Sequence, residues 1–258
     1  MHLQEHEPTR QPEAQDLDPA ATALFLDIDG TLLEIAETPS SVHVEPETVA
    51  LLGRLQATLG GALALISGRP IADIDRLFAP LTLPVAGQHG MERRDSTGAL
   101  HRHDSPLAAL DRLRGQITGF AAEAPGLLVE DKGSSIAFHY RRAPLLGSRV
   151  RDFLEQALRE MDDGLGLQAG KMVLEVKPAG RDKGTAIAEF MAEAPFLGRL
   201  PAFLGDDVTD EFGFEVVAGL GGYPIKIGAG ATGAPWRLDS VPATRAWLAR
   251  LCAGRPAR

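Results

Sequence analysis

The chain has 258 residues, of which 44% are hydrophobic and 24% charged, and its formal net charge is -9. This composition is typical of a globular protein, and the acidic balance argues against a nucleic-acid backbone as a partner. The single cysteine, Cys252, excludes an intrachain disulfide. No segment has the apolar run of a signal peptide or a membrane span. We therefore expect a cytoplasmic protein with no nucleic-acid or membrane partner.

The first half of the chain predicts a parallel α/β sheet behind a polar tail. Residues 1–20 are rich in Glu, Gln, Pro and Asp, which predicts disorder. After them, short apolar runs alternate with segments of helical spacing, the pattern of strands separated by crossover helices. The predicted elements are a strand over 21–28, a helix over 46–59, a strand over 62–66, a helix over 71–78, a strand from 83 and a hairpin over 91–103.

The pattern then changes to helix, strand, strand, repeated once, and later returns to alternation. The repeat is typical of a compact α+β unit without parallel crossovers. The predicted elements are helices over 105–124 and 145–161, strands over 127–130, 134–140, 165–169 and 172–176, then helices over 183–191, 211–218 and 241–251 with strands over 202–204 and 223–227. We predict a Rossmann-like core from residues 21–104 and 179–258, interrupted by an inserted α+β domain over 105–178.

Two carboxylates, Asp27 and Asp29, directly follow the first predicted strand. Residues two apart on an extended chain point the same way, and ligands of parallel sheets bind beyond the carboxyl ends of the strands. Paired carboxylates repel each other unless a cation lies with them, and magnesium prefers oxygen ligands and phosphate. The alternatives are a solvated turn or a calcium loop, although Gly30 comes two residues early for the calcium motif. The pattern favours a metal-dependent phosphate site.

A second acidic cluster, Asp206, Asp207, Asp210 and Glu211, follows another buried strand. Acids at the start of a helix interact favourably with its dipole, which is sufficient to explain Asp210 and Glu211. It does not explain two acids at the end of the strand itself. If the two strands are neighbours, both acidic ends converge on one metal. We expect Asp206 to be the direct ligand in preference to Asp207.

Two further polar residues are candidates for binding phosphate oxygens. Ser67 ends the second strand in the segment SGR, where a hydroxyl and the amides of a helix start can hold an anion. Lys183 opens a later helix and carries a point charge suited to phosphate. By residue type alone, Ser67 is equally well explained as part of an ordinary turn. Lys183 is better explained as a solvated surface lysine.

The order of these segments resembles the haloacid dehalogenase superfamily of phosphatases. The matching motifs are DIDGT at 27–31, Ser67, Lys183 and GDD at 205–207. The inserted unit resembles the cap of the sugar-phosphatase branch. The implied fold is therefore a haloacid dehalogenase core with a parallel sheet and a smaller α+β cap domain.

The superfamily resemblance also implies a mechanism. Asp27 would be the nucleophile that forms an aspartyl-phosphate, and Asp29 the general acid and base. Magnesium would be held by Asp27, Asp206 and the backbone carbonyl of Asp29, with Asp207 as the other candidate ligand. The phosphoryl oxygens would be bound by Thr31, Ser67 and Lys183.

A longer resemblance covers nearly all of residues 23–251 and points to the trehalose-6-phosphate phosphatase family. It is carried by LFLDIDGTL, ISGR, AGQHG, EDKGSSIAFHYR, LEVKPAGRDKGTAI, FLGDDVTDE and IGAGAT, of which the fourth and fifth separate this family from other sugar phosphatases. It implies hydrolysis of trehalose 6-phosphate to trehalose, the last step of trehalose biosynthesis. The implied substrate-binding residues are Arg69, His89, Glu130, Lys132, Arg141, Lys171 and Glu175.

Residue types alone leave several alternatives open. His89 is as well explained as a structural histidine, and the charged residues of the inserted unit are better explained as solvated charges. The protein as a whole could act on another sugar phosphate, such as a sucrose or mannosyl phosphate, or bind sugar phosphates without catalysis. The presence of Asp27, Asp29, Lys183 and Asp206 argues against the non-catalytic alternative. The expected partner is a small sugar phosphate, and a monomer is the simplest assembly.

Overall fold

The computed structural model describes residues 11–36, 42–103, 107–133, 135–161, 164–170 and 172–253. The chain divides into two compact units. We call Met1–Arg102 with Asp182–Arg258 the core unit, and His103–Arg181 the inserted unit. None of the described helices combines the length and the apolar composition needed to cross a bilayer.

Twelve strands and seven α-helices are described. The strands are β1 (Thr22–Leu26), β2 (Leu63–Ile66), β3 (Val85–Gly87), β4 (Glu92–Arg94), β5 (Leu100–Arg102), β6 (Leu128–Asp131), β7 (Ile136–His139), β8 (Leu165–Gly170), β9 (Val173–Pro178), β10 (Leu200–Gly205), β11 (Tyr223–Ile227) and β12 (Trp236–Leu238). The helices are α1 (Pro46–Thr58), α2 (Ile71–Phe78), α3 (Leu107–Ala122), α4 (Gly147–Met161), α5 (Lys183–Met191), α6 (Glu211–Gly219) and α7 (Val241–Ala253).

The core unit contains an eight-stranded sheet in the order β12-β11-β10-β1-β2-β3-β4-β5. Pairing is parallel from β12 to β3 and antiparallel at β4 and β5. In the register of β1 and β10, Leu26 lies opposite Leu204. The two acidic segments that follow these strands therefore lie side by side at one edge of the sheet, which confirms the predicted α/β core.

The strands of the core sheet are buried on both faces. Along β1, Leu24 and Leu26 belong to a cluster that also contains Trp247, while Phe25 belongs to a second cluster with Phe190. Because successive side chains of a strand point to opposite faces, a sheet covered on both sides needs continuous apolar runs. This requirement explains why β1 and its neighbours have no polar alternation.

Residues 11–20 are packed against the core, so the predicted disordered tail is wrong for this part of the chain. Ala14 and Leu17 are 3% and 4% exposed and lie in the same apolar cluster as Trp247. The indole nitrogen of Trp247 also donates a hydrogen bond to the carbonyl of Pro12 at 2.7 Å. Two apolar side chains in a polar segment thus cover an otherwise open part of the core near α7. Residues 1–10 lie outside the described residues.

Strand β12 was not predicted. It is only three residues long and follows a glycine-rich segment, so it carries no detectable period. Its position is decided by parallel pairing with β11, where Ile225 lies opposite Trp236.

The inserted unit contains a four-stranded antiparallel sheet in the order β6-β7-β9-β8. One face packs on α3 and α4, with Phe138 of β7 and Val176 of β9 in the same cluster as Leu113 and Leu154. The neighbouring residues in these strands therefore point to the opposite face. That face carries Glu130, His139 and Glu175, and its polar contacts are described below.

Candidate active site

The two side-chain oxygens of Asp27 are both engaged beyond the end of β1. The amide of Asp27 donates to the carbonyl of Leu204 at 3.0 Å, so the pairing with β10 fixes this residue. Lys183 Nζ lies 2.7 Å from Asp27 Oδ1, and Thr31 Oγ1 donates to Oδ2 at 3.3 Å. Since Asp27 is only 4% exposed, these contacts orient a buried carboxylate.

Lys183 is a buried residue of this site, which excludes the solvated-lysine interpretation. It is 3% exposed and begins α5 directly after Asp182, whose side chain forms a capping box with Thr185. Its ammonium bridges Asp27 and Asp210, with Nζ 2.6 Å from Asp210 Oδ1. Burial by itself lowers the pKa of Lys183, but the two carboxylates outweigh it and raise that pKa. The lysine is therefore a permanent positive charge.

Three carboxylates meet at this edge of the sheet. One oxygen each of Asp27, Asp206 and Asp210 lies within 4.8 Å of the other two. Burial raises the pKa of Asp206 to about 6, helped by Asp210, and burial also raises the pKa of Asp27 well above its usual value. Lys183 balances only part of this negative charge. A cluster of oxygen donors with uncompensated negative charge fits a hard divalent cation such as Mg²⁺.

The position of Asp206 depends on the absence of a side chain at Gly30. A Cβ atom at Gly30 would lie 2.2 Å from Asp206 Oδ2, and the φ of Gly30 is +88°. Asp206 is therefore packed against the turn that follows Asp27 and Asp29. This packing is the physical reason for glycine in the DIDG segment.

Two of the predicted metal ligands do not contribute their carboxylates to this cluster. Asp207 Oδ1 accepts from the amide of Val208 at 2.8 Å and caps a short 3-10 helix. Asp210, from the same acidic segment, joins the cluster in its place. A metal contact of Asp207 stays a prediction. The carboxylate of Asp29 binds Arg69 through two contacts of 2.7 Å. A metal contact of the Asp29 backbone carbonyl stays a prediction.

The SGR and QHG segments pack against each other beside Asp29. Ser67 Oγ accepts from the amide of Arg69 at 3.2 Å, and the amide of His89 donates to the carbonyl of Ser67 at 3.0 Å. A Cβ atom at Gly68 would lie 2.6 Å from His89 Nε2, so the imidazole rests on this glycine. His89 holds a left-handed backbone conformation, with φ 55°. Arg69 thus links this loop to Asp29.

The inserted unit has a polar cluster of its own on the face of its sheet opposite the apolar cluster. Lys132 Nζ lies 3.3 Å from both carboxylate oxygens of Glu175, and Ser135 Oγ donates to Glu175 Oε1 at 2.6 Å. His139 Nε2 lies 2.9 Å from Glu130 Oε2. The hydrogen bond from His139 is the main reason that the pKa of Glu130 is lowered, and Lys132 contributes.

The remaining predicted substrate-binding residues are Arg141 and Lys171. Arg141 follows the strand β7 by two residues and is exposed. Lys171 lies outside the described residues. Both keep their proposed roles as predictions.

A family model described as trehalose-phosphatase matches residues 25–242. The match spans both units and includes Asp27, Lys183, Asp206 and Asp210. The chain belongs to the trehalose-phosphatase family. It is 47% identical over 229 residues to the trehalose-6-phosphate phosphatase of Escherichia coli K12, covering 89% of this chain and 86% of that protein.

Solved structures agree with this membership of the trehalose-phosphatase family. A trehalose-6-phosphate phosphatase related protein superposes with a TM-score of 0.75 and 25% identity, over 89% of this chain and 96% of its own. A haloalkanoate-superfamily phosphatase from Bacteroides thetaiotaomicron superposes with a TM-score of 0.59 at 17% identity, over 90% and 94% of the two chains, which shows the fold alone. The predicted haloacid dehalogenase fold and family resemblance are confirmed.

Two residues of the trehalose-phosphatase core were not identified as site residues from the sequence. Asp210 was attributed to a helix dipole, and its signal in the sequence is its place in the acidic segment GDDVTDE directly after a buried strand. Lys226 is 3% exposed and donates to the backbone carbonyls of Asp206 and Ile227. No pattern marks Lys226, because a lysine in a strand usually points to solvent.

Proposed function

We propose that this protein is a Mg²⁺-dependent phosphatase that hydrolyses trehalose 6-phosphate to trehalose and inorganic phosphate. The observation that carries the proposal is the contact of 2.7 Å between Lys183 and the buried Asp27, within a cluster of three carboxylates. A buried carboxylate beside a fixed cation is suited to attack phosphorus. Membership of the trehalose-phosphatase family supports the choice of substrate.

In the first half-reaction, an oxygen of Asp27 attacks phosphorus while the bond between phosphorus and the sugar oxygen breaks. Asp29 donates a proton to the departing oxygen, because a sugar alkoxide is a poor leaving group. Both oxygens of Asp29 are bound by Arg69 in this structure. A carboxyl oxygen has two lone pairs, so Asp29 can carry and deliver the proton on a lone pair that Arg69 leaves open.

In the second half-reaction, water attacks the phosphorus of the aspartyl-phosphate. Asp29 accepts a proton from this water, and the bond between phosphorus and Asp27 breaks to release phosphate. The contact with Arg69 suits this step, because it orients an ionised Asp29 carboxylate. The two half-reactions restore both aspartates to their starting states.

Residues around Asp27 orient the phosphoryl group and stabilise its negative charge. Lys183, Thr31 and Ser67 are proposed to bind its oxygens, since positioning and charge stabilisation provide most of the catalysis in phosphoryl transfer. Bound Mg²⁺ would neutralise phosphate charge and align the displacement. Its proposed ligands are Asp27, Asp206, Asp210 and the backbone carbonyl of Asp29.

Recognition of the sugar is assigned to the polar cluster of the inserted unit and to core residues near Asp29. Carboxylates accept hydrogen bonds from sugar hydroxyls, and ammonium and guanidinium groups attract a dianionic substrate. Glu130 and Glu175 are acceptors held by neighbouring donors, which suits them to the first role. The proposed substrate-binding residues are Arg69, His89, Glu130, Lys132, Arg141, Lys171 and Glu175.

Phosphate release across a panel of sugar phosphates tests this function. With Mg²⁺ present, we expect kcat/KM for trehalose 6-phosphate to exceed that for glucose 6-phosphate by roughly 100-fold, because polar groups that lose a hydroxyl partner each cost about 1–3 kcal/mol. Sucrose 6-phosphate and 4-nitrophenyl phosphate complete the panel. Equal efficiency on another sugar phosphate would contradict the substrate. No release from any member would favour a binding module without catalysis.

The raised pKa of Asp206 predicts a pH-dependent effect of Mg²⁺ on stability. Folding raises this pKa from 3.8 to about 6, so between these pH values the folded protein binds more protons than the unfolded chain. The free energy of unfolding of the metal-free protein therefore falls as pH rises through this window. Mg²⁺ replaces the proton, so we expect it to raise the melting temperature more at pH 7.5 than at pH 5.

The control for this measurement is Asp206→Asn, which removes the titrating group from the cluster. We expect the difference between the two pH values to shrink in this variant. An equal stabilisation by Mg²⁺ at both pH values in the natural protein would show that the cluster does not exchange protons for metal.

A further inference from the structure

Glu130 and His139 are diagonal neighbours on the polar face of the sheet in the inserted unit. In the antiparallel pairing of β6 and β7, Glu130 lies opposite Ala137, and His139 lies opposite Leu128. Val129 and Phe138, between them, face the apolar cluster under the sheet. The ladder therefore brings the imidazole and the carboxylate together on the polar face, with 2.9 Å between Nε2 and Oε2.

Glu175 is held on the same face by a different donor. Ser135 directly precedes β7 and is 1% exposed, and its hydroxyl donates to Glu175 Oε1 at 2.6 Å. Glu175 is itself 5% exposed and also contacts Lys132. Lys132 also lowers the pKa of Glu130, and the negative charge of Glu175 raises it.

In each of these hydrogen bonds, an ionised glutamate carboxylate can only be the acceptor. An ionised carboxylate has only acceptor atoms, so the hydroxyl of Ser135 and an N–H at Nε2 of His139 must be the donors. A glutamate side chain has several rotatable bonds, and holding it in place before a ligand arrives removes part of the entropy cost of binding. Ser135 and His139 perform this task for Glu175 and Glu130.

We propose that His139 and Ser135 are positioning residues for sugar recognition, which hold Glu130 and Glu175 in the orientation that accepts hydrogen bonds from substrate hydroxyls. This inference rests on the proposed function and assigns roles to two residues outside the predicted site. Neither residue is placed against the reacting phosphoryl group. Their effect should therefore be on KM for the sugar substrate.

The test for His139 is a double-mutant cycle with Glu130. His139→Leu removes the donor at similar size, His139→Gln keeps an N–H at a similar reach, and each is combined with Glu130→Ala. For trehalose 6-phosphate we expect His139→Leu to lower kcat/KM about tenfold, mainly through KM, because hydrogen bonds to charged groups have this magnitude. His139→Gln should recover most of the loss. In the Glu130→Ala background, His139→Leu should change kcat/KM by less than about twofold.

Ser135 is tested in the same way against Glu175. Ser135→Ala removes the hydroxyl from a buried carboxylate, and we expect a loss of about tenfold in kcat/KM that disappears in the Glu175→Ala background. Turnover of 4-nitrophenyl phosphate and the melting temperature are measured on the same preparations. The variants His139→Leu, His139→Gln and Ser135→Ala should keep at least about half of the natural turnover of this small substrate.

Several results would overturn the inference while leaving the proposed function intact. These are an unchanged kcat/KM in His139→Leu and Ser135→Ala, equal losses in the presence and absence of the glutamates, or parallel losses on 4-nitrophenyl phosphate. Failure of the natural protein to hydrolyse trehalose 6-phosphate would instead contradict the proposed function. The cycles would then be measured on the best sugar phosphate of the panel, where the same coupling must appear.

Discussion

Replacing Asp27 with asparagine is expected to lower phosphate release from trehalose 6-phosphate by at least about 10⁴-fold while the protein stays folded. Asparagine keeps the size of the side chain but has no anionic oxygen to attack phosphorus. Burial already disfavours the charge of Asp27, and Lys183 keeps its contact with Asp210. The measurement is steady-state turnover beside a thermal melt, with the melting temperature expected within a few degrees of the natural protein.

Asp29→Asn is the matched control, because it removes a neighbouring carboxylate and leaves the proposed nucleophile. With 4-nitrophenyl phosphate, whose leaving group needs little protonation, Asp29→Asn should still transfer phosphate to the protein and then hydrolyse it slowly. A rapid acid quench should trap phosphoprotein in this variant and none in Asp27→Asn. If Asp27→Asn keeps activity within tenfold of the natural protein, the assignment of the nucleophile is wrong.

Removing divalent cations is expected to lower activity by roughly 10³-fold, and added Mg²⁺ should restore it, because a metal contributes several kcal/mol of charge stabilisation to such displacements. Ca²⁺ should restore activity poorly, since its larger and looser coordination shell misaligns the reacting groups. Asp206→Asn should raise the Mg²⁺ concentration for half-activation by about 100-fold. Binding of Mn²⁺, monitored by electron paramagnetic resonance, provides a readout that does not depend on turnover.

Asp207→Asn is the control for this series, because it changes the next residue in the chain. Asp207 caps a helical turn and lies outside the three-carboxylate cluster. We expect metal affinity in this variant to change by less than about threefold. A larger effect of Asp207→Asn than of Asp206→Asn would reverse the assignment of ligands. Full activity in excess chelator would rule out the metal.

Much of the fold was predictable because the residue patterns that indicate its strands and helices lie within short segments of the chain. Continuous apolar runs identified the buried strands, helical spacing identified the crossover helices, and the bounds of α2, α5 and β11 agree with the structure. β12 was missed because three residues carry no period. The prediction of disorder was wrong for residues 11–20 because two apolar side chains among polar ones do not indicate burial. Their burial depends on a surface that α7 and the sheet create together.

The sequence by itself determined the order of motifs, and with it the family and the positions of Asp27, Asp29, Lys183 and Asp206. Only the tertiary structure decided which acids meet. Asp210 and not Asp207 completes the cluster, because one turn after β10 points Asp210 toward Lys183 and turns Asp207 to a backbone amide. The contacts of His139 and Ser135 were also decided only by the tertiary structure, because their partners lie on neighbouring antiparallel strands. Contacts between distant segments depend on strand pairing and register, which no local pattern of residues specifies.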